Sequence, residues 1–163
     1  MAMAENMAPD MAPDTQYLEL LQLVERLHRQ LLDVVKDELD REGLDDLNSV
    51  QALLLFNIGD QELTAGELRT RGHYLGSNVS YNLKKLVDAG YIRHERSAVD
   101  RRSVRVSLTE SGSAVRAQLN KLFDRQAASL QAVGGVDTDQ LPAMNTALAR
   151  IERFWADHIR FRM

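Results

Sequence analysis

Cysteine is absent from this 163-residue chain. Its absence excludes disulfides, thiolate metal sites, a cysteine nucleophile and thiol redox switching, and it fits a reducing cytoplasm. Long apolar runs are missing as well. No segment approaches the roughly 18 consecutive apolar residues of a membrane span, and the N-terminus lacks the basic start and apolar core of a signal peptide. Proline occurs three times, and two of the three fall in residues 1–14, where Met-Ala-Pro-Asp is repeated. Such a segment has too little to bury and is expected to be a disordered tail. Finally, the chain lacks a basic excess. Its 20 Lys and Arg against 24 Asp and Glu give a net charge of −4. Taken whole, that balance argues against a nucleic-acid binder.

The distribution of charge reverses that conclusion. Residues 1–68 carry a net −11, residues 69–105 a net +6 and residues 106–163 a net +1, so a compact basic block sits inside an acidic protein. The length suits about one domain by the prior of roughly 100–200 residues, and 44% hydrophobic residues are enough for a real core.

Apolar residues at Tyr17, Leu20, Leu21, Val24, Leu27, Leu31, Val34, Val35 and Leu39 have helical spacing, with Leu18, Leu23 and Leu32 off the stripe. This first helix has more apolar surface than one packing face needs, so it should touch two things. Asn48 or Ser49 caps a second helix, from Val50 to about Ile58, that is apolar almost all round and therefore buried. Thr64 and Glu67 form a capping box for a short third helix. Gly72 and Gly76 bracket a turn, and a fourth helix runs from about Ser77 to Ala89, with Val79, Leu83, Leu86 and Val87 inward and Gly90 as its stop. Two strands follow, Tyr91–Arg96 and Ser103–Leu108, the second alternating cleanly between Val104, Val106, Leu108 and Ser103, Arg105, Ser107. Thr109 caps a fifth helix reaching about Val133, and beyond Gly134-Gly135 a sixth carries Leu141, Met144, Leu148, Ile151 and Trp155 as a narrow seam.

Helix, helix, turn, helix and basic hairpin is the order of a winged helix-turn-helix, with the fourth helix entering the major groove. With its apolar residues turned inward, that helix leaves Ser77, Asn78, Ser80, Tyr81, Lys84 and Lys85 facing outward or sideways. Small polar groups near its N-terminus can approach base edges, and the lysines further along can reach phosphates. The hairpin adds Arg101 and Arg102 at its tip and Arg96 and Arg105 on its arms, guanidiniums suited to a phosphate or a narrow minor groove.

At this point the chain resembles the MarR family of bacterial transcriptional regulators. The resemblance rests on Leu63-Thr64 and Leu68, on Val79-Ser80 and Leu86-Val87-Asp88-Ala89-Gly90-Tyr91-Ile92, on Asp100-Arg101-Arg102, and on Val106-Ser107-Leu108-Thr109-Glu110-Ser111-Gly112. It covers about residues 47–115. It implies a mostly α fold: a winged helix-turn-helix with a two-stranded β-hairpin wing, flanked by long N- and C-terminal dimerisation helices. The corresponding division is a tail at 1–14, a dimerisation helix at 15–46, a DNA-binding domain at 47–110 and dimerisation helices at 111–163. It also implies a homodimer on a double-stranded, pseudo-palindromic operator, with Ser77, Asn78, Ser80, Tyr81 and Lys84 on the recognition helix, Arg101 and Arg102 in the wing, and Asp100 positioning the wing arginines. A small aromatic or phenolic effector would sit in a pocket for which Val24, His28, Leu53, Phe56 and Asn57 are the candidates. Arg69 and Gly72-His73-Tyr74 depart from the family pattern, and the approach to the fourth helix is expected to be reshaped there.

Plainer readings stand beside these. Tyr81 lies one position from the inner stripe and could belong to the core, and Lys85 suits a phosphate or bare surface better than a base. His28, His73, His94 and His158 lack metal-ligand spacing, so no metal and no cofactor are expected. Phe154 and Trp155 fit the seam. Asp45-Asp46 and Glu38-Asp40 read as solvated loop and cap charges rather than acid/base pairs. With no nucleophile, metal cluster or phosphate loop, an enzyme is not expected. The alternative function is a winged-helix protein-interaction module whose basic face docks an acidic partner, which would leave the Ser-Asn-Ser row without a purpose.

Overall fold

The computed structural model describes residues 12–72, 76–96, 99 and 104–162. The element order is α1 (Pro13–Arg41), α2 (Ser49–Ile58), β1 (Leu63–Thr64), α3 (Ala65–Gly72), α4 (Gly76–Asp88), β2 (Ile92–Arg96), β3 (Val104–Leu108), α5 (Glu110–Ser129) and α6 (Leu141–Phe161). The fold is mostly helical with a small antiparallel sheet, as expected of a winged helix. Two compact units divide at Leu119 and Asn120, inside α5. No helix among the described residues is long and apolar enough to cross a membrane.

In the first unit the core is built from α2, buried at Ala52, Leu54, Leu55 and Ile58, with Val35 and Leu39 of α1, Leu68 of α3, Leu86 of α4, Val106 of β3 and Leu119 of α5. A helix apolar on every side belongs at the centre, and α2 is there. Only the C-terminal part of α1 is buried, at Val35, Glu38 and Leu39, while Leu18, Leu23, Leu27 and Leu31 are exposed. The helix starts at Pro13, two residues inside the stretch expected to be a tail, because proline suits a first helical position. Residues 1–11 of that tail lie outside the described residues.

The sheet differs from the expected two-stranded hairpin. β1 adds a third strand, in the order β1-β3-β2, with Leu63 opposite Val106 and Thr64 opposite Arg105. Two residues are too few to show an alternation in sequence. The β2–β3 register sets Ile92 against Leu108, His94 against Val106 and Arg96 against Val104 on one face, and Arg93 against Ser107 and Glu95 against Arg105 on the other.

In the second unit, α5 stops at Ser129 instead of near Val133. Its end tightens into turns, with Val133 N–H and Gly134 N–H both donating to the Ser129 carbonyl and Gly135 at φ +68°. A 3₁₀ turn at Thr138–Gln140 then leads into α6, which has no buried residue and exposes Met144, Leu148, Phe154 and Ile159.

Candidate nucleic-acid interface

The helix-turn-helix begins with a local device. Glu67 N–H donates to Thr64 Oγ1 at 3.1 Å and Thr64 N–H donates to Glu67 Oε2 at 3.2 Å, the reciprocal capping box that starts α3. From there α4 turns Val79, Leu83 and Leu86 into the core. Asn78, Ser80, Lys84 and Lys85 are exposed on the other side. Tyr81 is 62% exposed, so it belongs to the outer row and not to the core. Lys85 Nζ lies 5.6 Å from the centre of its ring, a cation–π pair one helical turn apart. Ser77 falls in the first turn of α4, and its side chain lies outside the described residues. Asn82, which the apolar stripe did not single out, accepts from Gln51 Nε2 at 3.4 Å and ties α4 to α2.

On the hairpin, Arg96 is exposed at the end of β2. Its register places it on the face of β2 that also carries His94. Arg105 projects from the opposite face and is 3.6 Å from Glu62, both side chains about half exposed. Asp100, Arg101 and Arg102 lie outside the described residues, as do the side chains of Arg69, Arg71 and His73. Between α4 and the hairpin runs an apolar cleft of about 310 Å³, lined by Leu83, Val87, Val104 and Val106 with Ser80, Lys84 and His94.

The C-terminal end of α4 is held with unusual completeness. Gly90, at φ +84°, donates to Val87 O at 3.0 Å, and Tyr91 N–H donates to Leu86 O at 2.9 Å, the two bonds of a Schellman closure. Thr109 bridges to this end from α5: its N–H donates to Tyr91 O at 3.1 Å and its hydroxyl donates to Gly90 O at 2.6 Å, while Gly112 N–H donates to Thr109 Oγ1. A Cβ at Gly112 would stand 2.2 Å from Tyr91 O, so only glycine fits. The Leu-Thr-x-x-Gly motif is thus the seat on which α4 ends.

Of the acidic residues read as solvated loop and cap charges, Glu38 is buried, and Asp46 stays exposed while accepting a bond from a buried side chain. Tyr91 is 7% exposed and its hydroxyl donates to Asp46 Oδ1 at 2.8 Å. Burial, then the hydrogen bond to the Asp46 carboxylate and that carboxylate's charge, push the Tyr91 phenol up to about 12. Glu38 is only 4% exposed and accepts from Gln118 Nε2 at 2.7 Å, which also reaches Glu42 at 3.2 Å. Both partnerships join residues far apart in sequence, so no local signal announced them.

The expected effector residues lie on α1 and α2. Val24, Leu53 and Phe56 are half-buried, and His28 and Asn57 are exposed. Two further clefts have other linings. One of about 390 Å³ is bordered by Glu42, Leu44, Tyr91, Val115 and Gln118, and one of about 430 Å³ by Leu32, Lys36, Leu47 and Val50. Among the described residues no three His, Asp or Glu side chains group as a metal site.

Residues 45–103 match the sequence profile of the MarR family. The exopolysaccharide II synthesis transcriptional activator ExpG of Rhizobium meliloti (strain 1021) is 37% identical over 145 residues, covering 89% of this chain and 74% of that protein. Among solved structures, a mutant MarR from E. coli complexed with operator DNA superposes with a TM-score of 0.68 at 20% identity, over 86% of this chain and 99% of that one. The regulator BldR from Sulfolobus solfataricus gives 0.69 at 21% identity over 86% and 99%. Streptococcus pneumoniae FabT in complex with DNA gives 0.63 at 23% identity over 86% and 98%.

Proposed function

Because the chain belongs to the MarR family and is a DNA-binding transcriptional regulator rather than an enzyme, we propose that it acts as a cytoplasmic homodimer on a pseudo-palindromic operator. Each copy sets α4 into one major groove and its wing on the neighbouring backbone. The observation that carries this reading is the division of α4 into a buried face of Val79, Leu83 and Leu86 and an exposed row of Asn78, Ser80, Tyr81, Lys84 and Lys85. Ser77, by its place in the first turn of α4, and Arg96, Arg101 and Arg102, by their place in the sequence, complete the proposed DNA contacts. Self-association is supported by the apolar side chains that α1 and α6 leave exposed, which a second copy would cover. The division into a tail, a first dimerisation helix, a DNA-binding domain at 47–110 and terminal dimerisation helices follows the same reading. A small aromatic effector reaching Val24, His28, Leu53, Phe56 and Asn57 would shift the spacing of the two recognition helices, and so the operator affinity. The name of the ExpG relative makes transcriptional activation the direction to test first.

The test is fluorescence anisotropy on a duplex selected in vitro from random DNA, titrated with salt, and repeated with small phenolic acids present. Lys84→Ala should flatten the log–log salt slope by about 0.9 if the lysine neutralises one phosphate. Asn78→Ala should cost about 1–3 kcal/mol and relax preference at one operator position if the amide reads a base. Unchanged affinity and slope in both variants would remove α4 as the reading element.

A further inference from the structure

Tyr91 lies away from the exposed row of α4, yet it joins two helix ends that an operator reader must keep in register. The first is the C-terminus of α4, closed by the bonds of Gly90 and Tyr91 to Val87 and Leu86. The second is the C-terminus of α1, closed in the same way: Gly43, at φ +69°, donates to Asp40 O at 3.2 Å and Leu44 N–H donates to Leu39 O at 2.9 Å. Asp46 follows three residues after Gly43. The 2.8 Å bond from Tyr91 to Asp46 therefore runs from one locked helix end to the other.

Apolar packing beneath α4 is non-directional and resists separation better than tilting. A hydrogen bond from a rigid phenol to a carboxylate is directional and charge-assisted, so it resists tilting. Leverage makes this matter. The 13 residues of α4 span roughly 20 Å, so a tilt of about 5° at the tied end moves the Asn78 end by about 1.7 Å, half of the roughly 3.4 Å rise per base pair.

We propose that Asp46 and Tyr91 are positioning residues for operator recognition, fixing the angle of α4 against α1 and thereby the half-site spacing that the protein accepts. This rests on the dimeric reading above. Asp46 is exposed, so water can take the place of the phenol when the bond is lost.

The experiment measures binding of wild type, Tyr91→Phe, Asp46→Ala and Asp46→Asn to the selected duplex and to versions with one base pair added to or removed from its centre. Thermal melting is followed in parallel. Wild type should lose tenfold or more on either altered spacing. Tyr91→Phe and Asp46→Ala should lose only two- to threefold there while binding the original duplex several-fold more weakly, with a cooperative melt whose Tm is lowered by about 2–6 °C. Asp46→Asn keeps an acceptor oxygen and should restore most of the discrimination. If Tyr91→Phe and Asp46→Ala discriminate spacings as wild type does, the inference fails and the dimeric reading stands. A uniform loss on all three duplexes, with the wild-type ratio between spacings kept, would make the bond merely structural and overturn the inference. A wild type indifferent to spacing would overturn the dimeric reading, and this inference with it.

Discussion

The Tyr91 phenol is neutral and donating wherever the protein is folded at ordinary pH, because burial and the Asp46 carboxylate hold its pKa near 12 against a usual 10. The fold thus binds this proton more tightly than the unfolded chain does. The resulting stability is fully present below pH 10 and is lost as pH rises through 12. In urea unfolding, wild type should lose roughly 1–3 kcal/mol more between those limits than Tyr91→Phe does, the lysines and other tyrosines being common to both. Equal losses would show that the phenol is not held as described. At this scale, legibility followed sequence distance. The Thr64–Glu67 box spans three residues and was visible at once, as were Gly90 as a helix stop and Tyr81 as an outward candidate. The bond from Tyr91 to Asp46 crosses 45 residues and that from Gln118 to Glu38 crosses 80, so neither partnership has a local signal, and the burial of Glu38 comes from packing alone.

Among the elements, α2 shows what a sequence leaves open and packing decides. Asn48 and Ser49 were equivalent as caps. The structure assigns the cap to Asn48, whose Oδ1 accepts from Gln51 N–H at 2.8 Å while its own N–H donates to Gln51 Oε1 at 3.1 Å. Ser49 serves a different purpose, donating from Oγ to Leu32 O of α1 at 2.6 Å. Gln51 also reaches Asn82, so the cap of the central helix continues into α4. Asn48→Ala should cost about 1 kcal/mol in a denaturant midpoint, near the centre of the range for lost N-caps, with the m-value unchanged. No change would mean that Gln51 and water suffice to start α2. The longer helices α1, α4 and α6 are legible because each repeats its apolar pattern over several turns, and α2 and α3 because of their caps. The two-residue β1 and the end of α5 were not, the first because its strand character comes from pairing with β3, the second because turns around Ser129 close the helix before the paired glycines are reached.

Across the whole molecule, the net charge of −4 conceals a basic segment of +6 at residues 69–105, which holds α4 and the hairpin, and an acidic segment of −11 that ends at residue 68. Such a field should repel DNA from the acidic part of the chain, lowering non-specific affinity without removing any phosphate contact. Asp37 and Asp40 on α1 allow a direct test. Each pairs with a cation one turn away, Arg41 at 3.0 Å and Lys36 at 3.0 Å, and all four side chains are largely exposed. Exposed pairs of this kind contribute about 0–1 kcal/mol, so Asp37→Asn with Asp40→Asn should leave the fold intact. On a random duplex near 50 mM salt, the double variant should bind about two- to fivefold more tightly than wild type, and the gain should fade near 0.15 M, where the Debye length is about 8 Å. A charge-matched double variant separates field from contact. Asp33→Asn with Asp45→Asn removes the same two charges and touches neither ion pair, so a like gain there is the field, whereas a gain confined to Asp37 and Asp40 would mean that Lys36 or Arg41, once released, grips a phosphate. Equal affinity at every salt concentration would show that the acidic part of the chain lies too far from DNA to restrain it, and specificity would then rest on the α4 row and the wing alone.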